Sequence, residues 1–279
     1  MNKETVLVIG ASGLVGSEVV KILKSEGVNV RAATSKPAAD ASQVQLNLAT
    51  GEGINKAFEG VERAFLLAPP GYDDQYALLS PLIQEAKRRG LKKVVLMTAL
   101  GANASNQTPF RRAEIELEKS GLTYNIVRPN WFMQNFNTFW IQGILQQGKI
   151  FLPAGKAKTS FINAKDISAV VAKLLVSNKF DNQAFDITGP ESLDHDEVAQ
   201  KISRETGKGI SYSEITSDAF MSGLIGAGLP QGYAKFLVLI MSYLREGYNA
   251  AVNGNVKAIL GREPLSFEQY TKENRATWK

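Results

Sequence analysis

Residues Val6 to Gly16 read VLVIGASGLVG, an apolar run that meets glycines at Gly10, Gly13 and Gly16 and passes into LVGSEVVKIL. A strand that turns tightly on glycine and feeds a helix brings backbone N–H groups and the positive helix end to one point, which suits a pyrophosphate. In such a turn Gly10 permits the reversal, Gly13 lets the backbone approach the phosphates, and Gly16 lets the helix pack closely on the strand. The next segment, VNVRAATSKPAA, has no Asp or Glu between Glu26 and Asp40 to take a ribose 2′-OH, but it carries Arg31, Ser35 and Lys36. Two cations and a hydroxyl suit a 2′-phosphate, so the expected cofactor is NADP(H); the alternative makes Arg31 and Lys36 solvated surface residues.

Other reactive side chains are scarce. The chain has no Cys and one His, His195, which leaves no thiolate nucleophile, no disulfide framework and no paired ligands for zinc, so no metal site is expected. His195 opens a helix whose start, DHDE, makes Asp194 a cap and Glu197 its capping-box partner, and a polar first turn is the reading preferred over a general acid. Trp131, Phe132, Phe136, Phe139 and Trp140 fall within ten residues. For Trp131 and Phe132 two readings stay open, core between two lobes or a surface that stacks a flat conjugated ligand; Phe136 is placed with the ligand contacts, while Phe139 and Trp140 are read as core. Tyr72, after LLAPPG, is a further candidate for the pocket.

These residues need a frame. Apolar runs at Thr5–Ile9, Val28–Ala33, Arg63–Leu67, Lys93–Met97 and Tyr124–Val127 alternate with helical periods, and runs such as TVLVI, AFLLA and VVLM are apolar without alternation. This predicts an α/β fold, a Rossmann-like doubly wound parallel sheet covered on both faces. Pro81, inside YALLSPLIQEAKRRG, predicts either a kink or two short helices with Ser80 capping the second. Beyond Val127 the pattern loosens into mainly helical sequence with isolated strands such as Ala184–Ile187. The expected division is a cofactor-binding domain over 1–150, with contributions from later segments, and a smaller substrate lobe over 151–279. Across 279 residues, 32 Lys and Arg against 27 Asp and Glu leave +5, a scattered charge that argues for no nucleic-acid partner but suits an anionic cofactor. The opening MNKETVLVIG reaches a strand too early for a signal peptide, and the longest apolar run, FLVLIM, is far short of the ~20 residues that span a bilayer, so a cytoplasmic protein with no membrane contact is expected.

The stretches GASGLVGSEVVKIL, VVLMTALGA, EIELEKSGLTYNIVRPNWFMQNF, SFINAKDISAV, FDITGPESLDHDEVAQKI and GREPLSFEQYTKEN resemble, in this order and over almost the full chain, the NmrA-like branch of atypical short-chain dehydrogenases/reductases. That branch includes NADPH-dependent quinone reductases, triphenylmethane and azo dye reductases, and non-catalytic redox sensors that bind NADP; RPNWFMQN and GKIFLPAGKAKTSFINAKDI are also similar to festuclavine dehydrogenases. The resemblance implies that Gly10, Ser12, Gly13, Leu14, Val15 and Gly16 hold the diphosphate, and that Ser35 and Lys36 lie near the adenosine 2′-phosphate. It also implies that Leu67, Ala68, Pro69, Thr98, Ala99 and Asn130 run along the cofactor.

Typical short-chain dehydrogenases use a Tyr and a Lys four residues later. Aligned through Glu114, those positions hold Asn106 and Phe110, and the replacement basic residues Arg111 and Arg112 are read as facing solvent. The catalytic residue is therefore unassigned. The resemblance and the aromatic cluster imply an NADPH-dependent reductase of a small conjugated or cationic acceptor, a quinone, dye or iminium. The alternative is a non-catalytic NADP(H)-binding sensor, favoured by the missing pair.

Overall fold

The computed structural model describes residues 4–279. Along the chain run β1 (Thr5–Val8), α1 (Leu14–Ser25), β2 (Asn29–Thr34), β3 (Gln43–Gln45), α2 (Ile54–Ala57), β4 (Arg63–Leu67) and α3 (Gln75–Arg88). Next come β5 (Lys93–Met97), α4 (Pro109–Glu118), β6 (Tyr124–Pro129), α5 (Ile141–Gln147), β7 (Lys149–Leu152), α6 (Ala164–Val176) and β8 (Gln183–Ile187). The remainder is α7 (His195–Thr206), β9 (Ser211–Glu214), α8 (Ser217–Gly226), α9 (Gln231–Arg245), α10 (Asn255–Leu260) and α11 (Phe267–Asn274).

The chain forms two units, one ending at Pro129 and recovering Lys165–Asp186, the other made of Asn130–Ala164 and Ile187–Lys279. The division differs from the expected boundary at 150 in that 130–150 fall in the second unit; Lys165–Asp186 is the later segment that contributes to the first. The reason is long-range pairing: β8, read from sequence as an isolated strand, is the seventh strand of the main sheet.

In the first unit the strand order is β3-β2-β1-β4-β5-β6-β8, and β2, β4, β5 and their neighbours from β3 to β6 pair in parallel. Leu7, Ile9, Ala64, Leu66, Val94, Leu96 and Ile126 share one core with Leu79, Leu82, Ile83 and Leu117 of α3 and α4. Their alternates Val6, Val8, Phe65, Val95 and Val127 are equally buried. Both faces of the sheet are thus covered, which is why the strands read as unbroken apolar runs. The order reverses at β1, which pairs with β2 on one side and β4 on the other. Open α/β sheets leave a crevice at such a point, beyond the carboxyl ends of the strands. Helix α3 continues through Pro81 as one helix; Asp74, accepting from Ala77 N at 3.2 Å, caps it, whereas Ser80 Oγ accepts from Gln84 Nε2 within it.

The second unit holds the parallel pair β7–β9 and a core that includes Met133, Phe136, Phe161, Phe267, Tyr270 and Trp278. Helix α7 begins with the expected capping box: Asp194 Oδ1 accepts from Glu197 N at 2.9 Å and Glu197 Oε2 accepts from Asp194 N at 2.8 Å. Among the described residues no helix is long and apolar enough to cross a membrane.

Candidate functional site

The turn after β1 is pinned on both sides, because Ile9 N donates to Phe65 O and Ala11 N to Ala33 O, each at 3.0 Å. Gly10 takes a left-handed φ of 67° and Gly13 N donates back to Gly10 O at 2.9 Å, so the chain reverses within four residues. A Cβ on Gly16 would stand 2.2 Å from Gly10 O, which leaves room only for hydrogen. Gly13 is the N-cap of α1, with no side-chain cap and no acidic residue in the first turn. Ser12, Gly13 and Leu14 are exposed, while Val15 is packed in the interior and its carbonyl accepts from Ser168 Oγ at 3.1 Å. A 12-residue helix thus presents a positive end that, among the described residues, no side chain caps. That donor set fits a diphosphate.

At the end of β2 the three polar candidates separate. Arg31 lies in mid-strand, and its guanidinium donates to the carbonyls of Lys56 and Glu59 at and beyond the end of α2. This corrects its sequence assignment: the side chain neither stands at the strand end nor floats in solvent, because it is held by carbonyls of the last turn of α2 and the residues after it. Ser35 and Lys36 do follow the strand end and are exposed; Lys36 N is fixed by Thr34 Oγ1 at 3.2 Å and Ser35 O by Gln45 Nε2 at 3.3 Å.

Leu67, Ala68 and Pro69 follow the end of β4 half-buried, and the Leu67 side chain packs against Gly10. Tyr72 is 40% exposed on the next loop. At the end of β5, Thr98 is buried and Ala99 half-buried. The Thr98 hydroxyl donates to Glu114 Oε1 at 2.7 Å, and this fully buried carboxylate also accepts from Arg128 at 2.8 and 2.7 Å and from Arg111 at 3.0 Å. Burial pushes the Glu114 carboxyl up, but hydrogen bonds from Arg128 and Thr98 and the Arg128 charge outweigh it and hold the group below the usual carboxylate range. Arg111 also grips Glu118 at 2.6 and 3.1 Å, so it is held by carboxylates rather than turned to solvent, and Arg112 lies over the Tyr76 ring at 4.0 Å. Sequence reasoning missed this network; its signal is a Glu beside the core positions Ala113 and Leu117 of α4. Asn106 is exposed ahead of α4, and Phe110 packs partly against the core.

In the second unit Asn130 is buried and its amide is fully used. Nδ2 donates to Ser160 Oγ at 2.8 Å and Asn249 O at 2.9 Å, while Oδ1 accepts from Trp131 N and Asn249 Nδ2, each at 2.9 Å. The side-chain amide therefore has no donor or acceptor free for a cofactor. Trp131 and Phe132 are half-buried. Phe136 is wholly buried among Trp140, Phe161 and Phe267, with ring centroids 4.8, 5.2 and 5.5 Å away, so it is core and not a ligand contact. Phe139, expected in the core, is 61% exposed; Trp140 packs on the core as expected.

His195 also departs from its expected polar setting. Its ring is fully buried, 5.4 Å from Tyr212, 5.7 Å from Phe161 and 6.1 Å from both Phe136 and Trp140. Neither ring nitrogen has a hydrogen-bond partner. Burial lowers its pKa from 6.5 to about 4, against a weaker upward pull from the Asp196 charge.

This fold recurs in known proteins. The sequence profile of the NmrA-like family matches residues 2–271. Prestalk A differentiation protein A of Dictyostelium discoideum is 29% identical over 97% of this chain and 92% of its own. The NAD(P)H azoreductase of Xenophilus azovorans is 30% identical over 98% of this chain and 99% of its own. The Citrobacter sp. triphenylmethane reductase complexed with NADP(H) shares the fold with a TM-score of 0.83 at 18% identity, over 97% of this chain and 99% of that one. A profile match along nearly the whole length, together with the glycine turn that opens the sheet, assigns the chain to the NmrA-like family.

Proposed function

We propose that this protein is an NADPH-dependent reductase that delivers hydride to a small conjugated or cationic acceptor. The observation that carries the proposal is the uncapped, glycine-closed start of α1 at the sheet's reversal point, followed at the end of β2 by Ser35 and Lys36 with no carboxylate. The N-terminus of α1 with Gly10, Ser12 and Gly13 binds the diphosphate, Ser35 and Lys36 bind the 2′-phosphate, and Leu67, Ala68, Pro69 and Ala99 line the cofactor's path at the strand ends. The reduced nicotinamide supplies a hydride when bound.

The chain's own part is binding and orientation. Asn106 and Phe110 stand where a Tyr–Lys pair would provide a proton, and the Thr98 hydroxyl proton is held by the ionised Glu114. A ketone becomes an alkoxide on reduction and needs such a donor, whereas a quinone spreads the charge and an iminium or cationic dye is neutralised. Trp131 and Phe132 hold a flat acceptor by stacking. The same lack of a proton donor favours a second reading, an NADP(H)-binding sensor without turnover. Titration calorimetry with NADPH and NADH, followed by steady-state assays with menadione, methyl red, malachite green and a cyclic iminium, tests both. Preference for NADPH with turnover of at least one acceptor upholds the reductase. Tight NADPH binding without any turnover supports the sensor, and equal affinity for NADH rejects the 2′-phosphate assignment.

A further inference from the structure

The loop 247–254, between α9 and α10, is tied down by buried side chains of its own unit. Asn249 O accepts from Asn130 Nδ2 at 2.9 Å and from Ser160 N at 3.0 Å, Ala251 O accepts from Ser160 Oγ at 2.7 Å, and Asn253 N donates to Thr188 Oγ1 at 3.0 Å. Asn130 and Asn249, 119 positions apart, clasp each other in both directions, since Asn249 Nδ2 donates to Asn130 Oδ1 at 2.9 Å. The same Oδ1 accepts the Trp131 N–H at 2.9 Å, while Trp131 O accepts from Ile162 N at 2.9 Å. Both backbone polar groups of Trp131 are thereby fixed, one of them by the oxygen that also holds the loop.

Only a primary amide offers two donors and two acceptor lone pairs in this plane. An Asp at 130 would turn an oxygen toward Asn249 O and lose both donors; an apolar isostere would leave the Trp131 N–H and Asn249 Nδ2 without their acceptor, while Asn249 O keeps Ser160 N and Ser160 Oγ keeps Ala251 O. The clasp therefore fixes the orientation of one backbone unit, that of Trp131, against one loop. We propose that Asn130 and Asn249 are positioning residues for the acceptor: they set the Trp131 backbone, and so its indole, against the 249–251 loop, and acceptor affinity depends on them although neither touches the cofactor. This rests on the reading that Trp131 meets the acceptor.

The test is a double-mutant cycle between Asn249→Ala and Trp131→Ala, with Asn130→Asp as a second probe of the clasp. Menadione affinity, NADPH affinity and Tm are measured for each variant. Asn249→Ala is expected to weaken menadione binding about fivefold, the value of one hydrogen bond, with NADPH affinity within about twofold of wild type. In the Trp131→Ala background the same substitution is expected to cause no further loss. A lowered Tm with unchanged menadione affinity, or an equal loss in both backgrounds, makes the clasp merely structural and overturns the proposal. If Trp131→Ala itself binds menadione like wild type, the reading that Trp131 meets the acceptor fails and the inference falls with it, whereas a Trp131 effect without an Asn249 effect sinks the inference alone.

Discussion

Acid should destabilise the second unit through one side chain. His195 is the chain's only histidine, wholly buried in a ring of aromatic groups with no partner for either nitrogen, and its pKa is lowered from 6.5 to about 4. A depressed folded-state pKa means that the unfolded chain binds the proton first. Stability is full above about pH 6.5, is lost as pH falls from there toward 4, and changes no further through this group once both states are protonated. At roughly 1.4 kcal/mol per pKa unit the shift from 6.5 to about 4 is worth roughly 3 kcal/mol in full, of which about 2 kcal/mol is lost by pH 5. Asp196, which Lys156 holds at 2.5 Å, opposes the shift. The assay is urea unfolding at a series of pH values, wild type against His195→Leu. The difference between the two profiles isolates this group from carboxylates that titrate nearby. The wild type is predicted to lose about 2 kcal/mol more than the variant between pH 7.5 and 5. Parallel profiles, or a single imidazole resonance titrating near 6.5 in the folded protein, would refute the reasoning.

Three further outcomes follow from particular contacts. Gly16→Ala places a Cβ 2.2 Å from Gly10 O, so the turn must open; NADPH binding should fall at least tenfold with far-UV circular dichroism retained, and unaltered affinity would count against the diphosphate placement. Lys36→Ala should narrow the preference for NADPH over NADH about tenfold, whereas Arg31→Ala, which removes a cap on Lys56 and Glu59 carbonyls, should lower Tm and leave the preference intact in calorimetric titrations. Glu114→Ala removes the nearest partner of the buried Arg128 guanidinium, leaving it only Asp186 at 3.5 Å, and should cost about 3 kcal/mol in urea unfolding.

The glycine turn, the parallel sheet and the capping box of α7 were legible because each rests on local pattern: a strand period, a glycine spacing, a cap three residues from its partner. What was not legible depends on which distant groups meet. Arg31 looked like a phosphate ligand because its charge is visible in the sequence, while the carbonyls that hold it, 25 and 28 positions on, are not. Asn130 likewise finds its partners 30 and 119 positions away. Phe136 and Phe139 exchanged their expected surroundings because the 3-10 turn Met133–Asn137 interrupts any helical period from which their faces could be read. The Glu114 network was hidden for a third reason: a carboxylate in a helix reads as surface until the arginine from another strand is known to cover it.

The most direct test of the reductase reading is a single-turnover stopped-flow measurement in which bound NADPH is mixed with each acceptor and its absorbance at about 340 nm is followed, a wavelength set by the reduced nicotinamide. The account predicts rapid loss of the signal with at least one quinone, cationic dye or iminium, and none with cyclohexanone. Efficient oxidation by cyclohexanone would reveal an acid that the chain conceals, and a signal that persists with every acceptor, despite tight NADPH binding, would contradict the enzyme and leave the sensor.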